Sequence, residues 1–348
     1  MFSLLPASDM HKHAMATQQE NIEISRINRL GLKELAKKKL HHSNGRFMNP
    51  FSSTEYGNLW RLLSWKLFSK NHFESFYEDE NRTSVKIDWE PVKKHQGCAV
   101  TFVKHACVMI KDLDHYLLVD PVFFDLFWYK DFTPLTFDLN NMPLTNHILI
   151  THGHYDHLDK PSLKVLGKDT HVITPLGYDS VFHDLEMNNR TQLDWFDSYK
   201  DGKREIILLP CNHWTMRNPL IGPNDSLWGS YLIKGAGGYN ILVAGDAAYF
   251  DRYRELGQEC AIDLAIFNLG AYEPRWFMAG SHLNPAETVK AFLEVKAKYL
   301  LVVHWGSFRL GDEPVHFPPM EIKKEMEKQG IVDRLVHLDH GQTYFLKA

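Results

Sequence analysis

At 348 residues, with 44% hydrophobic, 13% aromatic and 24% charged residues, the chain has the composition of a folded globular protein with a large core, and its length allows one large domain or two smaller ones. A formal net charge of -4 excludes nucleic-acid binding through a globally basic surface. The four cysteines, Cys98, Cys107, Cys211 and Cys260, lie far apart without a CxxC pair, which predicts buried free thiols in a reducing compartment rather than a disulfide framework or a thiolate zinc knuckle.

The first residues, MFSLLPASDMHKHAMA, carry a short apolar run before Pro6 with no basic residue ahead of it, so no secretory signal is expected. From Glu20 to Phe47 the chain is basic, with Arg26, Arg29, Lys33, Lys37, Lys38, Lys39 and Arg46, and Ile and Leu recur at helical spacing. In NLWRLLSWKLFSK, from Asn58 to Lys70, Trp60, Leu63 and Leu67 fall on neighbouring turns beside Arg61, Lys66 and Lys70. Such a helix suits a membrane interface, its aromatics at headgroup depth, and equally suits packing on a core with its cations solvated. Residues 1–95 therefore read as an N-terminal extension packed on a catalytic domain of residues 96–348, with a membrane-facing surface and plain packing as its two alternatives. The aromatic stretch from Tyr116 to Tyr129 is interrupted by Asp120, Pro121 and Asp125, so nothing spans a bilayer and an intracellular, soluble or peripherally membrane-associated protein is expected.

From Cys98 onward short β-rich runs predict strands at Ala99 to Val103, Ala106 to Ile110, Tyr116 to Val119 and His147 to Thr151. Later strands are predicted at Val172 to Thr174, Glu205 to Leu209, Ser230 to Lys234, Asn240 to Ala244, Leu264 to Asn268, Tyr299 to Val303 and Tyr344 to Leu346. Helices fall between them at Pro161 to Leu166, Tyr249 to Leu256, Pro285 to Ala297 and Pro319 to Gln329. Strands first, then strands alternating with helices, indicate an α/β fold of sheets covered by outer helices.

The densest chemistry lies in THGHYDHLDK, Thr151 to Lys160, where His152, His154, Asp156 and His157 follow an apolar run. Residues two apart on a strand share a face, so His152 and His154 point the same way as the chain leaves the sheet, and Asp156 and His157 face the same space from beyond a turn. Four such donors exceed what one metal with an open position needs, which points to two adjacent metals. Further ligand types stand where predicted strands end: His213, Asp246 and His304.

The His-x-His-x-Asp-His pattern with these later residues resembles the metallo-β-lactamase superfamily, whose αββα sandwich holds two metals at the edge of its sheets. RFMNPF, NHWTMR, LWGSY, AGDAAYF, GAYEPRWFM and HWGSFRL, in that order, resemble the N-acylphosphatidylethanolamine-hydrolysing phospholipase D family over roughly residues 46–346. The resemblance implies that His152, His154 and His213 hold one zinc, that Asp156, His157 and His304 hold the other, and that Asp246 bridges both. It also implies that Asp120, in LLVDPVF, orients a metal-bound histidine and joins Asp156 and Asp246 among the catalytic carboxylates. Tyr155 and His282 match positions that touch lipid in that family. His105 stands where the family reads Gly-His-Ala, but Lys104 replaces the glycine, and Ala247 and Ala248 replace its Thr-Gly.

Two zinc ions about 3.5–4 Å apart would supply a hydroxide able to attack a phosphodiester and would offset charge on both reacting oxygens. For the lipid that the resemblance implies, the products are phosphatidate and an N-acylethanolamine. Aromatic residues in the run Val122-Phe123-Phe124 and Leu126-Phe127-Trp128-Tyr129, with Trp214, Trp276 and Phe277, are expected to form an apolar groove for acyl chains. The expected partners are a phospholipid substrate, a peripheral membrane surface and a second copy in a homodimer, with no nucleic acid. A lactonase or soluble phosphodiesterase on the same scaffold is the alternative, and an iron oxidoreductase or a non-catalytic binder stand behind it.

Overall fold

The computed structural model describes residues 29–346, apart from Ser53, Glu55, Gly57, Asn58 and Cys260. The basic segment before Arg29, including Arg26, lies outside the described residues.

Two seven-stranded mixed sheets face each other. One comprises β3 (Cys98–Lys104), β4 (Cys107–Asp112), β5 (His115–Val119), β6 (His147–Leu149), β7 (His171–Pro175) and β8 (Arg190–Leu193), with β16 (Thr343–Phe345) on the outside of β3. The other runs from β9 (Ser198–Asp201) through β10 (Arg204–Leu209), β11 (Ser230–Lys234), β12 (Asn240–Val243), β13 (Leu264–Asn268) and β14 (Tyr299–Val303) to β15 (Leu335–Val336). Each sheet is antiparallel on one side and parallel on the other, with β5 to β8 and β12 to β15 all parallel. This is the metallo-β-lactamase αββα sandwich.

Side-chain alternation builds the layers. In β5, Leu117 and Val119 enter the core between the sheets, whereas Leu118 points outward to a second cluster with Met109, Trp89 and Val92. The buried parallel strands LAIFN and YLLVV read as continuous apolar runs because both faces are covered. On the outside of the second sheet lies the helix Pro285–Val295, which begins with a reciprocal Asn284–Glu287 capping box and buries Val289, Phe292 and Val295.

The region before residue 96 supplies part of the core. The helix Leu32–Lys37 places Leu32, Leu35 and Ala36 in the main cluster, and the helix Trp89–Lys94 buries Trp89 and Val92 under the first sheet. The helix Leu59–Phe68 is divided: Trp65 is buried and donates its indole N–H to Asp312 Oδ1 at 3.0 Å, whereas Trp60, Leu67 and Phe68 are exposed. Among the described residues no helix is long and apolar enough to cross a membrane. Cys98, Cys107 and Cys211 are free and buried.

Some expectations need correction. The helix expected from Tyr249 to Leu256 is confined to Tyr253–Leu256, because Tyr249 and Phe250 are committed to contacts with Glu294 and Phe51 before a helical turn closes. Strands β8 and β9 were not expected: both are polar edge or near-edge segments whose alternation is only partly buried.

The N-terminal ends of β5, β6 and β7 hold His115, His147 and His171 side by side. Burial, reinforced by His171, pushes the His147 pKa down to about 4. Below about pH 6.5 the unfolded chain takes up a proton that the folded chain refuses until about pH 4, so stability present above pH 6.5 is lost as pH falls through that window. Urea unfolding across it is expected to show a decline to which His147 contributes, and His147→Phe is expected to flatten it. An unchanged acid limb in that variant would contradict the assignment.

Candidate metal centre

The strands that end at one edge of the sandwich deliver the site, as open sheets deliver ligands beyond the carboxyl ends of their strands. Asp120 follows β5, the run His152 to His157 follows β6, His213 follows β10, Asp246 follows β12 and His304 follows β14. His105 arrives from the turn between β3 and β4.

Two groups of four donors result, each with its ligand atoms within 4.8 Å of one another: His152, His154, His213 and Asp246 in one, His105, Asp156, His157 and His304 in the other. In the first, His152 Nε2 stands 2.9 Å and His213 Nε2 3.4 Å from His154 Nδ1, and both Nε2 atoms lie 3.9 Å from Asp246 Oδ2. In the second, Asp156 Oδ2 is 3.1 Å from His105 Nε2, 3.3 Å from His304 Nε2 and 3.5 Å from His157 Nε2. Asp246 connects the groups, with Oδ2 3.2 Å from His157 Nε2 and Oδ1 3.4 Å from His304 Nε2.

Electrostatics favour a cation here. Burial pushes His105 down to about 3 and His154 to about 4, leaving neutral rings with a lone pair to donate. Burial opposes ionisation of the carboxyls, yet His157 beside Asp156, and His304 and His157 beside Asp246, hold both well below the usual range. Burial also opposes charge on His157, but Asp246, Asp156 and Asp120 hold its pKa well above the usual value. His157 Nε2 and both ring nitrogens of His304 are buried without a hydrogen-bond partner, an arrangement that a metal ion resolves. The donor set, imidazoles and carboxylates without thiolate, fits zinc or another first-row divalent ion.

Outer contacts set the ring orientations. His157 Nδ1–H donates to Asp120 Oδ2 at 2.8 Å, and the same carboxylate accepts from the Thr151 amide at 2.8 Å and the Thr151 hydroxyl at 2.6 Å. His213 Nδ1–H donates to the Ser281 carbonyl at 3.1 Å, and Asn268 Nδ2 donates to Asp246 Oδ1 at 2.8 Å. His105, Asp120 and His304 all adopt left-handed backbone, with φ of 50°, 43° and 71°. Such conformations in residues with a Cβ cost on the order of 1–3 kcal/mol each and cluster at functional sites. Gly270 lies so close to His304 that a Cβ there would sit 2.3 Å from its carbonyl oxygen.

His105, which the sequence left without a role, stands fully buried inside the second group. Lys104 is equally buried and pairs with Asp131 at 2.7 Å, so the residue in place of the family's glycine anchors the loop after β5. The left-handed φ falls one residue later, on His105 itself. Arg217 was also missed; its guanidinium donates to the carbonyls of Gly153 at 3.0 Å and Leu158 at 2.7 Å, bracing the motif loop.

His282 lies beside the centre, with Nδ1 3.8 Å from Asp246 Oδ2. Tyr155 belongs to neither group: its ring is 59% exposed, lies under the Arg217 guanidinium and donates its hydroxyl to the Arg217 carbonyl at 2.6 Å. Trp214 packs edge-on against His154 and stacks on Tyr56. The expected aromatic groove divides: Val122 and Phe123 are buried, whereas Phe127 and Trp128 are 79% and 88% exposed and Trp276 is half-exposed.

Residues 115–305 match the β-lactamase superfamily domain. The chain is 32% identical over 243 residues to the mitochondrial N-acyl-phosphatidylethanolamine-hydrolyzing phospholipase D of Saccharomyces cerevisiae, covering 65% of this chain and 51% of that protein. It therefore spans about half the length of the yeast relative. N-acyl-phosphatidylethanolamine-hydrolyzing phospholipase D 1 of Caenorhabditis elegans is 28% identical over 312 residues, covering 81% of this chain and 87% of the relative. Among solved structures, an isothiocyanate hydrolase from Delia radicum gut bacteria superposes with a TM-score of 0.58 at 16% identity, over 72% of this chain and all of that one, which is a likeness of fold. The resemblance carried by the motifs thus extends over most of the chain, which belongs to the β-lactamase superfamily.

Proposed function

We propose that this chain is a zinc-dependent phosphodiesterase of phospholipase D type, hydrolysing N-acylphosphatidylethanolamine to phosphatidate and an N-acylethanolamine. The observation that carries the reading is Asp246, a single buried carboxylate facing the imidazoles of both four-donor groups. The substrate is the one named for the yeast and nematode relatives.

In this reading His152, His154 and His213 would hold one zinc and Asp156, His157 and His304 the other, with His105 alongside and Asp246 facing both groups. When bound, two zinc ions acidify a water and offset the negative charge of a phosphodiester. Water adds its oxygen to phosphorus, the bond from phosphorus to the ethanolamine oxygen breaks, and the alcohol leaves with a proton. Asp156 and Asp246 supply the negative charge that retains the ions, and Asp120 fixes His157 through its Nδ1–H. Burial pushes His282 down to about 4, so it meets the headgroup as a neutral ring, with Tyr155 at the rim. The exposed Phe127 and Trp128, with Trp60 and Phe68, support a membrane surface as the place where the lipid is met.

Mass spectrometry of products from vesicles containing N-acylphosphatidylethanolamine beside ordinary phospholipids tests this. N-acylethanolamine and phosphatidate are expected, absent after chelation. Fast opening of lactones with intact lipid would favour a different hydrolase on this scaffold.

A further inference from the structure

A second cluster of ligand type stands apart from this centre. His41 and His42, at the start of a short hairpin formed by β1 (His42–Ser43) and β2 (Arg46–Phe47), converge on Asp194, just past the end of β8. His41 Nε2 lies 2.6 Å from Asp194 Oδ1 and His42 Nε2 2.8 Å from Oδ2, so each carboxylate oxygen faces a different imidazole. The three donor atoms lie within 4.8 Å of one another.

The cluster is preorganised. The His41 ring is buried and stacks on Trp195 with centroids 4.1 Å apart and planes 16° from parallel. Asp194 Oδ1 also accepts the Trp195 amide at 2.7 Å, which fixes the carboxylate. His42 is one-third exposed and gives access from solvent. Lys39 Nζ occupies the remaining side, 2.5 Å from Asp194 Oδ2, but its side chain is 53% exposed and can swing into water.

We propose that His41, His42 and Asp194 form an accessory site for a divalent transition ion such as zinc, which fastens the N-terminal segment to the catalytic sheets. Two imidazoles and a carboxylate are a zinc donor set, with the fourth position left to water. Entry of the ion displaces Lys39 and leaves Asp194 as its counter-charge. The fastened segment leads directly to the main centre: the Met48 amide donates to the His41 carbonyl at 2.9 Å, and Asn49 Nδ2 donates to the His213 carbonyl at 2.9 Å and to Asn212 Oδ1 at 2.8 Å. A metal at the accessory site thereby orders the stretch that backs His213.

The test counts zinc by elemental analysis on the full-length protein, equilibrated with zinc chloride and desalted, in wild type, His42→Ala and Lys39→Met. His42→Ala is expected to hold about one zinc per chain fewer, as removal of one of three donors leaves too few for retention. Lys39→Met is expected to fill the site at severalfold lower free zinc, because the competing ammonium is gone. In an Asp246→Asn background, adding His42→Ala is expected to remove the same one zinc per chain, so failure of the catalytic reading and of this one are read separately. Equal zinc content in wild type and His42→Ala would overturn the proposal. If His42→Ala does not fold, an unchanged zinc titration in Lys39→Met overturns it alone.

Discussion

Asp246→Asn is expected to lower metal retention and to cut hydrolysis by more than about 100-fold, beyond the 10–100-fold typical of changes to outer-shell partners. The carboxylate lies 3.2–3.9 Å from the nearest ring nitrogens of His157, His152, His213, His304 and His282. An amide of the same shape keeps the hydrogen bond from Asn268 only if it presents its oxygen, and it withdraws the negative charge that balances the imidazoles and any cation among them. The fold is expected to persist, because the side chain packs without steric change at the end of β12. Elemental analysis, circular dichroism and product assays together decide it. Wild-type metal content with wild-type turnover would remove Asp246 from the site.

Asp120→Ala is expected to act through its neighbours, at a cost to both stability and metal affinity. Asp120 is almost fully buried and accepts three hydrogen bonds, two from Thr151 and one from His157. Its loss strands the Thr151 amide, leaves the Thr151 hydroxyl with only His152 Nδ1 at 3.0 Å, and frees the His157 ring to turn. Leaving such groups unpaired in the interior costs about 1–3 kcal/mol each. Metal affinity is expected to fall about 10–100-fold, measured by competition with a chromogenic chelator. Asp120→Asn keeps one acceptor and so is expected to recover stability ahead of affinity. A variant that loses stability but binds metal as tightly as wild type would show that Asp120 supports the turn alone.

The candidate donor clusters were legible where chemistry and strand periodicity coincide. His152, His154, Asp156 and His157 crowd a strand end, and His213, Asp246 and His304 each terminate an apolar run, so the side chains that the sheets deliver could be named before the sheets were assembled. His105 could not, because a tight turn between β3 and β4 delivers it through a left-handed backbone, and its sequence neighbours Lys104 and Ala106 carry no ligand pattern. The depth of Lys104 was equally hidden: a lysine reads as surface until Asp131, 27 residues away, is folded against it. The aromatic run after β5 looked uniform, yet its first half is core and its second half faces outward.

By itself the sequence determined the alternation of strands and helices and most of the donor set, because period-two burial and ligand chemistry are local properties of the chain. Only the tertiary structure decided which donors stand together, since four ligand-bearing strand ends from two sheets, and a turn from one of them, meet across separations of up to about 200 residues. It also decided that part of the segment before residue 96 belongs to the core, where Leu32, Leu35 and Trp89 lose their solvent, and that His41 and His42 meet Asp194. Such long-range contacts follow from how the two sheets bury their apolar faces, which no short stretch of sequence records.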